Sequence, residues 1–98
     1  MKEDVLKNAP RVANIMKLLG SESRLKVLCF LSDSDLNVTQ IEKLTGASQS
    51  QISQILKLLE LNGIVESKRD GKYVIYRISS LEIKELFKSL YKIFCAPK

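Results

Sequence analysis

The chain has 98 residues, 45% of them hydrophobic, and 16 Lys and Arg against 11 Asp and Glu leave a net charge of +5. A chain this short reads as one domain over residues 1–98 that buries only ~60–65% of its unfolded surface, so its apolar surplus suggests a second copy, and its positive charge suits a polyanion, although ordinary surface charge can look the same. The absence of His removes the commonest general base and transition-metal ligand; the lack of a long apolar run or a signal-like start makes a cytoplasmic protein with no membrane partner the expectation.

Met1 to Asn8 reads as a weakly helical arm, after which Pro10 takes the first turn of a helix carrying Val12, Ile15, Met16 and Leu19 and stopped by Gly20. Ser21 opens a second helix with Leu25, Leu28 and Cys29 on one face, widened by Val27 and Leu31, and Ser32-Asp33-Ser34-Asp35 breaks it. That helix is expected to be buried. Asn37 with Gln40 has the form of a capping box and opens a short helix through Val38, Ile41 and Leu44 to Gly46. Ser48 with Gln51 repeats the signal, and Ile52, Ile55, Leu56 and Leu59 recur at i, i+3, i+4 and i+7 until Asn62-Gly63. Only Gly46-Ala47-Ser48 separates these two helices, which is the pattern of a helix-turn-helix. Ile64 to Arg69 and Lys72 to Ile78 read as strands about an Asp70-Gly71 turn, the wing of such a motif. Ser79 with Glu82 then caps a last helix bearing Ile83, Leu86, Phe87, Leu90, Tyr91 and Phe94 as a broad apolar stripe. The expected fold is mainly α with a β-hairpin wing, a winged helix-turn-helix in the order α-α-α-α-β-β-α.

With the leucines and isoleucines of the fourth helix turned inward, Ser48, Gln49, Ser50, Gln51, Ser53, Gln54 and Lys57 remain outside. A solvated helix face usually favours Glu and Lys; Ser and Gln without acidic neighbours suit base edges and phosphates, and Gln can bond adenine through two hydrogen bonds. The plain alternative is a polar surface with no ligand. Across the predicted hairpin Arg69 faces Lys72, a like-charge pair that a phosphate backbone would relieve, and Lys68 and Arg77 extend the same basic edge. The plain alternative there is an edge strand guarded against aggregation.

Three stretches together, Leu19-Gly20-Ser21-Glu22-Ser23-Arg24-Leu25, Ser48 to Glu60, and Asp70-Gly71-Lys72-Tyr73-Val74-Ile75-Tyr76-Arg77-Ile78, resemble the ArsR/SmtB family of bacterial winged-helix repressors. The resemblance implies a homodimer through the first and last helices, bound to a palindromic operator in double-stranded DNA, and an effector that lowers operator affinity. The family's metal sites have no counterpart. Where one uses Cys in a Glu-Leu-Cys-Val pattern this chain has Asp35-Leu36-Asn37-Val38, and the other needs His along the last helix. No metal or cofactor is therefore expected. Ile55 also departs from the His that many relatives carry in the recognition helix.

Cys29 and Cys95, in Val27-Leu28-Cys29-Phe30-Leu31 and Leu90-Tyr91-Lys92-Ile93-Phe94-Cys95, resemble the metal-free dithiol branch of that family, the persulfide-responsive repressors. This implies that a reactive sulfur species or an oxidant links the two thiols and releases DNA. On the residues alone Cys29 is as readily a packing side chain, and Cys95 ends its helix where the dipole disfavours a thiolate while Lys92 and Lys98 favour one. Two other readings stay open: a repressor with structural cysteines and another effector, and a winged helix that binds protein. An enzyme is not expected, since a dithiol oxidoreductase would need a Cys-x-x-Cys and a βαβ pattern that the chain lacks.

Overall fold

A computed structural model describes residues 1–97; Lys98, one of the two lysines read beside Cys95, lies outside the described residues. The elements follow in the expected order: α1 (Lys2–Leu19), α2 (Glu22–Asp33), α3 (Val38–Thr45), α4 (Gln49–Leu61), β1 (Val65–Asp70), β2 (Tyr73–Ile78) and α5 (Leu81–Phe94).

The first helix differs from its sequence reading. Instead of an arm and a helix beginning at Pro10, α1 runs unbroken for 18 residues with Pro10 inside it. Proline denies Leu6 one hydrogen-bond donor, but the carboxylates Glu3 and Asp4 in the first turn and Lys17 in the last complement the helix dipole on either side. Only Leu18 and Leu19 of α1 are buried, with Ile15 packed against the core, whereas Val12 and Met16 of the predicted stripe stay exposed.

The core is built from Leu28 and Leu31 of α2, Ile41 of α3, Ile52, Leu56 and Leu59 of α4, Val65 and Ile78 of the hairpin, and Phe87 of α5. Its α2 face is rotated from the expected one: Val27, Leu28 and Leu31 are buried, while Leu25 is 37% exposed and Cys29 is exposed. The reason is that α2 packs against α3, β2 and α5 through the side centred on Leu28, which leaves the Leu25–Cys29 ridge at the margin.

Both halves of the α3 capping box form: the Gln40 amide donates to Asn37 Oδ1 at 2.9 Å and the Asn37 amide to Gln40 Oε1 at 2.9 Å. Gly46 ends α3 at φ 77°, a left-handed value that glycine adopts without a Cβ penalty, and so turns the chain directly into α4. At α5 the cap is Ser80, whose Oγ accepts from the Ile83 amide at 3.3 Å, and not Ser79, whose hydroxyl donates to the Gly63 carbonyl at 2.8 Å. Glu82 pairs with Arg11 of α1 at 2.7 Å instead of closing a box.

The hairpin register also corrects the sequence reading. Asp70 pairs with Tyr73 and Arg69 with Val74, so the turn is Gly71-Lys72 and Arg69 does not face Lys72. Of the two turn residues only Gly71 has positive φ, at 64°, which suits a turn with glycine first, whereas an Asp70-Gly71 turn of the mirror-image type needs positive φ at Asp70 as well. An isolated β-bridge that the sequence reading missed ties the α2–α3 link to β2: the Leu36 amide donates to the Tyr76 carbonyl at 3.0 Å and the Tyr76 amide to the Leu36 carbonyl at 2.8 Å.

Candidate nucleic-acid interface and thiol pair

Helix α4 sorts its side chains as its periodicity requires. Ile52, Ile55, Leu56 and Leu59 are buried, and Ser48, Gln49, Ser50, Gln51, Ser53, Gln54 and Lys57 are all exposed. Ser48 caps the helix by accepting from the Gln51 amide at 3.2 Å. The Gln51 side chain does not complete a capping box; it donates toward Ser23 Oγ on α2 at 3.5 Å, beside a recess also lined by Lys26, Thr45 and Ala47. The departure from the family at Ile55 falls on the core side of α4, away from the exposed polar row.

On the wing, Lys68, Arg69 and Lys72 are exposed, and among the described residues no carboxylate lies within 4.0 Å of their charged groups. Lys72 Nζ sits 5.4 Å from the centre of the Tyr73 ring, a cation–π arrangement that carries an exposed aromatic side chain at the hairpin tip. Arg77 stands apart from these cations: its Nε donates to Glu66 Oε1 at 2.6 Å across the hairpin, and Glu66, then Asp35, hold the guanidinium above its usual pKa. The base of the wing is tied to α4 by the Ser67 hydroxyl, which donates to Glu60 Oε2 at 2.8 Å. Nearby, burial first and the charge of Glu60 second push the Tyr76 phenol above its ordinary pKa.

Arg24 has a role that the sequence reading missed. Its Nε donates to the Leu18 carbonyl at 2.7 Å and its second nitrogen to the Lys17 carbonyl at 3.4 Å, closing the open end of α1 and fixing α2 against it. The available signal was a basic residue just past a helix stop.

The two cysteines are free thiols, both exposed, on helices that pack together. Cys29 lies near the end of α2; Cys95 is the C-cap of α5, its amide donating to the Tyr91 carbonyl at 2.8 Å. Partial burial raises the Cys29 pKa, and the charge of Cys95 raises it further, so Cys29 lies within the field of Cys95. Among the described residues no group of three or more His, Cys, Asp and Glu is placed to hold a metal ion, and no helix is long and apolar enough to cross a membrane.

Residues 21–67, from the α2 cap into β1, match the model of bacterial regulatory proteins of the arsR family. Over 95 residues the chain is 38% identical to the Biofilm growth-associated repressor of Xylella fastidiosa (strain 9a5c), covering 97% of this chain and 83% of that protein. The chain belongs to the ArsR family. Its fold is similar to that of reduced HlyU from Vibrio cholerae N16961, with a TM-score of 0.89 at 31% identity over 96% of this chain and 99% of that one. It is also similar to the homodimeric winged helix-turn-helix DNA-binding domain Mb0332 from Mycobacterium bovis, with a TM-score of 0.76 at 28% identity over 91% and 82% of the two chains. In this ArsR-family frame α3 and α4 form the helix-turn-helix and β1–β2 the wing. The position at which the family's metal-binding Cys would stand is Asn37, engaged with both arms of the α3 cap.

Proposed function

We propose that this chain is a dimeric transcriptional repressor that binds a palindromic operator through α4 and the wing, and releases it when Cys29 and Cys95 become linked within one protomer. One arrangement carries the reading: both exposed thiols sit on the packed pair α2 and α5, and α2 is also packed against the helix-turn-helix at α3. A covalent link there joins α5, which buries Ile83 and Phe87 in the core and leaves Tyr91, Ile93 and Phe94 exposed at its end, to the DNA-reading half. A shift of α5 against its partner copy changes the separation of two recognition helices that must enter major grooves about 34 Å apart. A coupling of about 1–3 kcal/mol, ordinary for allostery, lowers affinity roughly 5–150-fold. The name of the Xylella repressor supports the repressor half of this reading and the reduced state named for the Vibrio structure the thiol half, while the Vibrio cholerae protein itself is named a transcriptional activator.

The chemistry needs only a persulfide donor, RSSH. One protein thiolate attacks its outer sulfur, forming a new S–S bond and expelling RS⁻; the second thiolate attacks the carbon-bound sulfur of the protein persulfide and expels HS⁻, leaving a disulfide. If a second donor lengthens the chain before closure, attack of the second thiolate on the middle sulfur expels HS⁻ and leaves a trisulfide.

The deciding experiment is operator footprinting of reduced and donor-treated protein, with mass analysis of the joined Cys29 and Cys95 peptides. Protection that is lost on treatment, in step with the appearance of the joined peptides, supports the proposal. Release that persists in both Cys29→Ser and Cys95→Ser proteins rejects the thiol mechanism and leaves a repressor with another effector.

A further inference from the structure

Arg77 lies on the wing of the proposed repressor but differs from the other wing cations in its surroundings. It stands directly opposite Glu66 in the hairpin register and is bonded to it at 2.6 Å, and the recess it shares is also lined by Asp35. Asp35 precedes Leu36, whose backbone pairs on both sides with Tyr76, the residue before Arg77. The α2–α3 link, β2 and β1 therefore meet at one corner, and Arg77 is its cation. Beside two carboxylates, the charge of the guanidinium is already met within the fold, which leaves it less free to pair with a phosphate. Lys68, Arg69 and Asp70 line the same recess, but among the described residues Lys68, Arg69 and Lys72 have no carboxylate within 4.0 Å, so their charges stay unpaired.

We propose that Arg77 is a positioning residue of the wing: paired with Glu66 at the Asp35–Leu36 corner, it holds the hairpin so that Lys68, Arg69 and Lys72 face DNA, and it does not contact DNA itself. The DNA half of this inference rests on the proposed operator binding; the clamp itself does not.

Two measurements on the full-length reduced protein test it. In the absence of DNA, amide hydrogen exchange at Leu36 and Tyr76 reports the corner directly. Arg77→Ala and Glu66→Ala should each speed exchange there by about 1.5- to 5-fold, the equivalent of one exposed ion pair, and the double variant should add nothing further. Arg77→Lys, which can still reach Glu66, should restore most of the protection. With operator DNA, Arg77→Ala should bind about 1.5- to 5-fold more weakly at each salt concentration while keeping the parent's slope of log affinity against log salt, and parental affinity would remove the positioning role. Arg69→Ala should instead lower the slope by about 0.9 for each phosphate it no longer neutralises. Parental exchange rates in both alanine variants, or a salt slope that falls in Arg77→Ala as it does in Arg69→Ala, overturns the assignment. If the parent shows no salt-dependent DNA binding, the repressor reading fails, and the exchange measurement still decides whether the clamp exists.

Discussion

Single residues separate what the sequence could show from what needed three dimensions. Gln51 and Gln54 look equivalent as candidate base readers, but the side chain of Gln51 turns back toward Ser23, and among the described residues that of Gln54 has no such tether. Gln54→Ala should therefore relax operator preference at one base pair by about 1–3 kcal/mol, whereas Gln51→Ala should change preference less; binding across a library of single-base operator variants compares them. Equal loss of discrimination in the two variants would show that the Ser23 hydrogen bond gives way in the complex. For Cys29 the sign of the pH effect follows from its causes. Burial, the larger one, and the Cys95 charge both favour the neutral thiol, so the midpoint of the rise in Cys29 alkylation with pH should lie above the ordinary cysteine value of about 8.5. In Cys95→Ser the second cause disappears and the midpoint should fall, yet stay above that value because burial remains. A Cys29 midpoint at or below it in the parent protein contradicts a partly desolvated thiol within reach of the Cys95 charge.

At the level of elements, helices were legible wherever a periodic apolar stripe coincided with a cap. The Asn37 box and the α4 stripe both formed as read, because cap and burial in each case act within one turn or one face of the helix. Asn37→Ala should remove both capping bonds and lower stability by about 0.5–2 kcal/mol, measured by chemical denaturation of the reduced protein. What failed depended on partners elsewhere in the chain. The buried side of α2 is chosen by α3, β2 and α5, and no property of residues 22–33 alone distinguishes the Leu28 side from the Leu25–Cys29 ridge. The hairpin was legible as a hairpin but slipped by one residue, because Asp-Gly marks the turn without saying which central position takes positive φ. The corrected register makes a sharper prediction for the tip. Since Arg69 and Lys72 are not opposed, their charges are separately available to phosphates, and Arg69→Ala with Lys72→Ala should flatten the salt slope by about 0.9 for each phosphate left without its cation. Operator preference should change little. An unchanged slope would remove the wing from the DNA interface.

For the molecule as a whole, the open question posed by the fold is its uncovered apolar surface. On α1, Val5, Val12 and Met16 are 53%, 42% and 49% exposed; on α5, Tyr91, Ile93 and Phe94 are 60%, 60% and 78% exposed. Val5, Val12 and Met16 also line a shallow groove with Ala9 and Ala13 along one side of α1, where small side chains allow close approach of another helix. A domain of this length has little stability to spare, and covering this surface with a second copy both stabilises it and sets two α4 helices at a fixed spacing. The expected result is a dimer in sedimentation at micromolar concentration. Met16→Asp with Phe94→Asp should place two charges in each protomer's apolar surface and shift the protein to monomer, without touching α4 or the wing. Far-ultraviolet dichroism separates dissociation from unfolding, since an intact monomer keeps its helix content. Such a monomer retains the wing cations and the polar row, so its salt-dependent affinity for arbitrary DNA should survive, while its preference for the palindrome, which needs two half-sites engaged at once, should collapse. A variant that becomes monomeric and still prefers the palindrome as strongly as the parent would show that α1 and α5 do not set the spacing, and the proposed route from a Cys29–Cys95 link to DNA release would lose its lever.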